Sequence, residues 1–196
     1  SPISNSGFAF YKYYLMDSTY IDNKWCYKIQ FLPKRKQELT FNGDMWVNDT
    51  TYAIKRVEAA IADDANINFI YGLDVKQEYD EVEKEVWMLT EDKLTVDFNI
   101  TNKTTGFYGR KTTTYKDFVI NSVRDDEFYQ GISDIIVEED SGDKDSKFWE
   151  EARHVELSEN EVSVYNMVDS LQTIPQFKSI IDIITLFVSG YKVIGM

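Results

Sequence analysis

The sequence predicts an α+β protein, mainly antiparallel β, built as a strongly curved sheet or half barrel with C-terminal helices packed on it. Three observations predict this. Apolar and polar residues alternate with period 2 in one run after another from Lys24 to Thr101. Aromatics make up 15% of the 196 residues, as 13 Tyr, 12 Phe and 4 Trp, a composition that suits strands better than a helical bundle. From Asn121 the pattern turns acidic and irregular, and then takes on helical spacing. The expected boundaries are 1–121 for the sheet, 122–156 for the acidic segment with a short helix, and 157–196 for a helical hairpin that completes the same domain.

Residues 8–21, FAFYKYYLMDSTYI, form an opening strand or bent pair of strands before a turn at Asp22-Asn23. Trp25, Tyr27, Ile29 and Phe31 then alternate with Lys28 and Gln30, which marks a strand with one buried face. Pro33-Lys34-Arg35-Lys36 supplies a polar turn. The run from Leu39 to Val47 is the next strand, and Gly43 in its interior marks a bulge or a close backbone approach. After the turn at Asn48-Asp49-Thr50, Tyr52 and Ile54 share one parity while Val57, Ala59 and Ile61 share the other, so a bulge near Lys55-Arg56 keeps one face apolar.

Phe69, Tyr71, Leu73, Val75 and Tyr79 make a long strand with one wet face. A short strand follows at Val86-Trp87-Met88, then a separate one carrying Leu94, Val96, Phe98 and Ile100, then a threonine- and tyrosine-rich strand within 104–120. The total is seven to nine strands with short connections, in up-and-down antiparallel order. Trp25, Tyr27, Ile29, Phe31, Phe69, Tyr71, Leu73, Leu94, Val96 and Phe98 are expected on one side of the sheet.

Beyond Asn121, a short helix is expected over Lys147–Arg153, with Phe148 and Trp149 docking it. Ser158 and Glu161 form a capping box, and Leu157 with Val162 the matching hydrophobic staple, so a second helix starts there with Val162, Tyr165, Val168 and Leu171 on one face. Pro175 opens a third, whose apolar positions Phe177, Ile180, Ile181, Ile184 and Phe187 recur at helical spacing until Gly190. So apolar a helix must be buried, and at about fifteen residues it is too short to span a bilayer.

The charge balance excludes some functions. With 21 basic against 34 acidic side chains the chain carries −13, which repels nucleic-acid phosphates and anionic lipid headgroups. The single cysteine, Cys26, falls inside a strand as a small buried group, so there is no disulfide framework. One histidine, His154, rules out a histidine metal cluster, and its position suits a surface residue at a helix end. The groups Asp63-Asp64, Asp125-Asp126-Glu127 and Glu138-Glu139-Asp140 sit in polar turns as solvated charge runs, and 140–145 misses the spacing of a calcium loop. No phosphate-binding glycine loop, nucleophile elbow or zinc helix motif is present. No catalytic residue, metal or cofactor is assigned. The chain opens on Ser1-Pro2-Ile3 and closes on Gly195-Met196, and both ends are expected to continue into a longer protein.

The run YKYYLMDSTYIDNKWCYKIQFLPKRKQELTFNGDMWVNDTTYAIKRVEAAI, with NINFIYGLDVKQEYDEVEKEVWMLTEDKLTVDFNI and FWEEARHVELSENEVSVYNMVDSL after it, resembles a family of uncharacterised Bacteroidetes proteins. In those, an N-terminal carboxypeptidase-regulatory-like sandwich and a C-terminal outer-membrane β-barrel flank a middle region like this one. The resemblance implies a periplasmic, outer-membrane-associated domain, and that Gly190-Tyr191-Lys192-Val193 lies just before a barrel. Separately, the pair of strands from Met45 to Val57 looks like one in lipoprotein-carrier half barrels of the LolA and LolB type, although Asn48 departs from the acidic residue expected there.

The function expected is non-enzymatic: binding or scaffolding of a lipid, lipoprotein or protein partner on the sheet's concave face. Trp25, Tyr27, Ile29, Phe31, Phe69, Tyr71, Leu73 and Phe98 are the candidate ligand-binding residues. A purely structural spacer between domains, and a hydrolase acting through a carboxylate pair, are the alternatives.

Overall fold

In a computed structural model, residues 1–62, 64, 65, 67, 70–98, 107–126, 144–172 and 174 are described. The chain divides into two compact units, Ser1–Asp125 and Asp126–Met196.

The first unit opens with a short helix, α1 (Gly7–Phe10), and continues into β1 (Tyr11–Ile21), β2 (Lys24–Pro33), β3 (Phe41–Asn48), β4 (Ile54–Ile61), β5 (Ile70–Glu83), β6 (Val86–Phe98) and β7 (Phe107–Thr114). The seven strands form one antiparallel sheet in chain order, mainly β and open, with β1 and β7 as its edges. The expected alternation and up-and-down order therefore hold. Asp22 and Asn23 both adopt positive φ (47° and 61°), the conformation of a tight primed hairpin turn that Asn and Asp tolerate better than most residues.

Cross-strand register sorts the side chains into two faces. One row reads Tyr13, Phe31, Gly43, Ala59, Val75, Leu94 and Lys111 from β1 to β7, and the next reads Leu15, Ile29, Met45, Val57, Gln77, Asp92 and Thr113. The opposite face carries Lys28, Trp46, Arg56, Glu78 and Glu91 in one row and Gln30, Asp44, Glu58, Lys76 and Lys93 in another. The first face is the apolar one on β1 to β4. Tyr11, Phe31, Met45 and Val57 are buried together there, with Tyr13, Ile29, Phe41, Val47, Ile54, Ala59 and Tyr79 packed around them.

Five register shifts keep the long strands in phase, and each leaves one residue out of the ladder: Met16, Lys55, Tyr71, Val82 and Thr90. The one at Lys55 is the bulge expected near Lys55-Arg56. The one at Thr90 corrects an expectation, because Val86 to Phe98 is a single strand of 13 residues rather than two. The bulge resets the parity from Trp87 and Leu89 to Leu94 and Val96, and sequence alternation registers this as an interruption.

Gly43 is explained by a close approach. A Cβ there would lie 2.0 Å from the Glu58 carbonyl oxygen and 2.8 Å from the Ala59 Cα, both backbone atoms of β4 that cannot swing aside. Gly43→Ala is expected to destabilise the sheet by about 1–3 kcal/mol, read as a lower urea midpoint with an unchanged slope. A midpoint equal to that of the parent would show that β4 yields at no cost.

The second unit contains α2 (Ser146–Ala152) and α3 (Glu159–Gln172). α2 starts where Asp145 accepts a hydrogen bond from the Phe148 N–H at 2.8 Å, and the Phe148 and Trp149 rings meet edge to face at 5.3 Å. The expected capping box is present at α3: the Ser158 N–H donates to Glu161 Oε2 at 2.8 Å, and the Glu161 N–H donates to Ser158 Oγ at 3.3 Å. His154 is exposed just beyond α2. The helix expected from Pro175, and the acidic groups between 127 and 143, lie outside the described residues. Among the described residues no helix is long and apolar enough to cross a membrane.

Candidate functional site

Of the residues expected to line a binding face, Ile29 and Phe31 share the apolar face of β2 with the parity-matched Trp25 and Tyr27, and Leu73 stands opposite Val96 on the same face. They are not equally available. Phe31 is 0% exposed and belongs to the core, whereas Tyr27 is exposed and Trp25, Ile29, Leu73 and Phe98 are half-buried. The Trp25 ring meets Tyr20 edge to face at 4.7 Å. Tyr71 departs from its expected slot: it is the residue left out of the ladder, and Ile70 instead stands opposite Phe98. Its ring is 59% exposed as a result. Phe69 lies outside the described residues.

A polar interruption crosses this face. Tyr79 donates its hydroxyl to Gln77 Oε1 at 3.1 Å, and Gln77 Nε2 donates to Asp92 Oδ1 at 2.9 Å. Burial raises the Tyr79 phenol above its ordinary range, and the nearby Asp92 charge adds to the effect. Beyond the interruption apolar surface continues through Leu73, Val75, Leu94, Val96 and Phe98.

The two central charged rows of the opposite face pair within it. Lys28 reaches Asp44 at 3.0 Å, Arg56 reaches Glu78 at 2.7 Å, Lys76 bridges Glu58 and Glu78, and Lys93 pairs with Glu91 at 2.7 Å. Trp46 lies beneath two of these cations, Lys28 at 5.2 Å and Arg56 at 5.6 Å from its centroid. A surface hollow of about 490 Å³ opens on this charged face, lined by Asn42, Glu58, Asp74, Lys76, Lys93 and Thr95. A second of about 420 Å³ lies beside Phe10, Tyr11 and Leu39. Both hollows lie away from the Trp25 and Tyr27 end of the apolar face.

The densest polar cluster gathers where the β1–β2, β3–β4 and β5–β6 turns meet, and alternation alone gave no sign of it. Lys55, the bulged residue of β4, is 2% exposed, and its ammonium pairs with Asp22 at 2.9 Å and with Asp80. Burial opposes its charge, but hydrogen bonds to Asp80 and Asp22 outweigh this and raise its pKa. Asp80 is likewise opposed by burial, yet hydrogen bonds from Lys55 and Thr90 hold its carboxyl below the ordinary range. Lys24 on β2 pairs with Glu81 on β5 and lies over the Trp87 ring at 5.5 Å. Cys26, fully buried beside Ile21 and Trp46, has its thiol pushed up by burial, as befits a packing residue.

Asn48 is buried in the same region. Its amide donates to the Trp25 carbonyl at 3.1 Å, and its oxygen accepts from the Thr51 N–H at 2.9 Å and the Thr51 hydroxyl at 2.9 Å. The Asn48 side chain is thereby fully engaged in capping the β3–β4 turn.

Carboxylates do converge at Asp22 and Asp80, but on Lys55, and hydrogen bonds hold the Asp80 carboxyl below its ordinary range. A general acid needs the opposite shift, towards retention of its proton. Among the described residues no group of three or more His, Cys, Asp or Glu side chains could hold a metal ion.

Residues 1–118 match a family described only as a family of unknown function, DUF5686. The chain belongs to that family. In this DUF5686 member the matched region takes in all seven strands and ends before the second unit begins. No curated protein and no solved structure matches the chain.

Proposed function

We propose that this DUF5686 domain is a non-enzymatic binding or scaffolding domain on the periplasmic side of an outer-membrane protein, and that it holds an acyl chain or an apolar partner segment against the apolar face of its sheet. The observation that carries this reading is the difference between the two faces: one pairs its charges internally, while the other leaves Trp25, Tyr27, Ile29, Leu73, Leu94, Val96 and Phe98 half-buried or exposed. Such side chains are worth roughly 1.5–3 kcal/mol each when fully covered. The periplasmic and outer-membrane placement rests on the family resemblance in the sequence.

The proposal includes a sheet coiled towards a half barrel, as in the LolA-type carriers. Support comes from Asp22 and Lys24, which reach across intervening strands to Lys55 on β4 and Glu81 on β5. The spacer alternative makes the same fold but leaves the face without a ligand.

The 196-residue chain is expected to bind a fluorescent long-chain fatty acid saturably. Val96→Thr with Tyr27→Ser is expected to weaken that binding at least about tenfold, since two contacts of roughly 1 kcal/mol each are lost. Circular dichroism should be unchanged. Absence of saturable binding by the parent chain would reject the acyl-binding reading and leave the spacer.

A further inference from the structure

The two edges of the sheet differ in a way that assigns one of them a partner. Among the described residues nothing pairs with the outer side of β1, an 11-residue strand without proline. Leu15 and Met16 there are 69% and 56% exposed, and Tyr14 and Tyr20 are exposed beside them. Natural sheets blunt such edges with lysine, proline or bulges, because a long apolar edge is a template for another strand. β1 has one lysine, Lys12, one bulge, at Met16, and no proline, and its only other charged residue is Asp17.

Those two charges are placed as a two-fold axis requires. When a strand pairs antiparallel with its own copy, the residues facing each other across the axis must both point the same way. Against β2, Leu15 pairs with Ile29 and Asp17 with Lys28, so Met16 is the residue left out of register. With Met16 left out on the outer side as well, an axis at Tyr14 sets Tyr13 opposite Leu15 and Lys12 opposite Asp17 of the second copy. Lys12 and Asp17 lie on the same face, since their β2 partners, Leu32 and Lys28, are an even number of residues apart. Both are exposed, and Lys12 has no ion pair within the chain among the described residues. The Asp17 carboxylate accepts from the Ser18 N–H at 2.7 Å through one oxygen, which anchors it on the edge.

We propose that β1 pairs antiparallel with β1 of a second copy about an axis at Tyr14, with two Lys12–Asp17 ion pairs across it. Parallel pairing would set Lys12 beside Lys12. The β7 edge is unsuited, because Arg110 and Lys111 near its centre would meet their own copies there. The sheet itself is nearly neutral, with 15 basic against 18 acidic side chains in residues 1–118, so the charge of the whole chain does not oppose this contact. A β1–β1 contact also closes on itself, whereas a β1–β7 contact would propagate.

Sedimentation equilibrium of the full chain from micromolar to millimolar concentration is expected to show a reversible dimer. Lys12→Asp and Asp17→Lys should each weaken it about tenfold or more, because two attractions become two repulsions. The double variant Lys12→Asp, Asp17→Lys should restore it. Both positions are exposed, and circular dichroism verifies that each variant is folded. A monomer throughout the concentration range, or single variants that dimerise like the parent, would overturn the proposal, as would failure of the double variant to recover.

Discussion

Phe31→Ala is expected to lower the stability of the sheet unit by about 3–5 kcal/mol, the cost typical of removing a large buried aromatic ring. Phe31 has no exposed surface and packs with Tyr11, Met45 and Val57, whose strands span the first four positions of the sheet. Its ring also meets Tyr11 edge to face at 6.0 Å. Its neighbour across the strand is Gly43, which has no side chain to fill the space, so the cavity left behind has little means of collapsing. Folded domains are stable by about 5–15 kcal/mol, and the loss therefore takes a large share of the total. Urea denaturation followed by tryptophan fluorescence measures it, and a loss below about 1 kcal/mol would mean that the core is not organised around Phe31.

Lys55 is expected to give the second large effect, but only for one of two substitutions. Lys55→Glu moves a negative charge into a 2% exposed site that faces Asp22 and Asp80, with the Cys26 thiol also near it. An uncompensated buried charge costs about 3–5 kcal/mol. Lys55→Met should cost far less, because the carboxylates it leaves behind are 73% and 52% exposed and can take up water. The pH dependence follows from the two shifts. Asp80 is lowered, so its contribution is present above the ordinary carboxyl value of about 3.9 and disappears as pH falls through the folded-state value. Lys55 is raised, so its contribution is complete below about 10.4 and disappears as pH rises through its folded-state value. The stability difference between parent and Lys55→Met should be constant between these limits and shrink beyond either. A difference that persists unchanged at pH 2 would show that the ion pairs contribute nothing.

Much of the fold was legible because each strand has one apolar face, and alternation reports a face directly. Ile29, Phe31, Leu73, Leu94 and Val96 were assigned to one side from spacing alone, and their ladder partners agree. The capping box at Ser158 was legible for a similar reason, since its partners are three residues apart. Alternation misleads wherever the chain inserts a residue. Tyr71 has the spacing of an apolar-face residue, and the adjacent shift removes it from the ladder. The parity change near Lys55 did signal a bulge, but period 2 carries no information about burial of the inserted side chain, and nothing local links it to Asp22 or Asp80. Those partners are 33 and 25 residues away in sequence, so only the assembled sheet brings them together. The apolar face was legible at Ile29, Phe31 and Leu73, but not in its division between a closed core at Phe31 and an open surface at Tyr27.

Strand order has a consequence for how the domain is made. Every ladder joins strands adjacent in the sequence, so each hairpin can close as soon as its second strand has been synthesised, without waiting for distant chain. The pairs from Asp22 to Lys55 and from Lys24 to Glu81 are different in kind, since the latter spans 57 residues. They lock only after β4 and β5 have arrived. A nascent chain therefore passes through a growing sheet whose latest strand is always an unpaired edge, and the ion pairs of the polar cluster at the turns are complete only once five of the seven strands are in place.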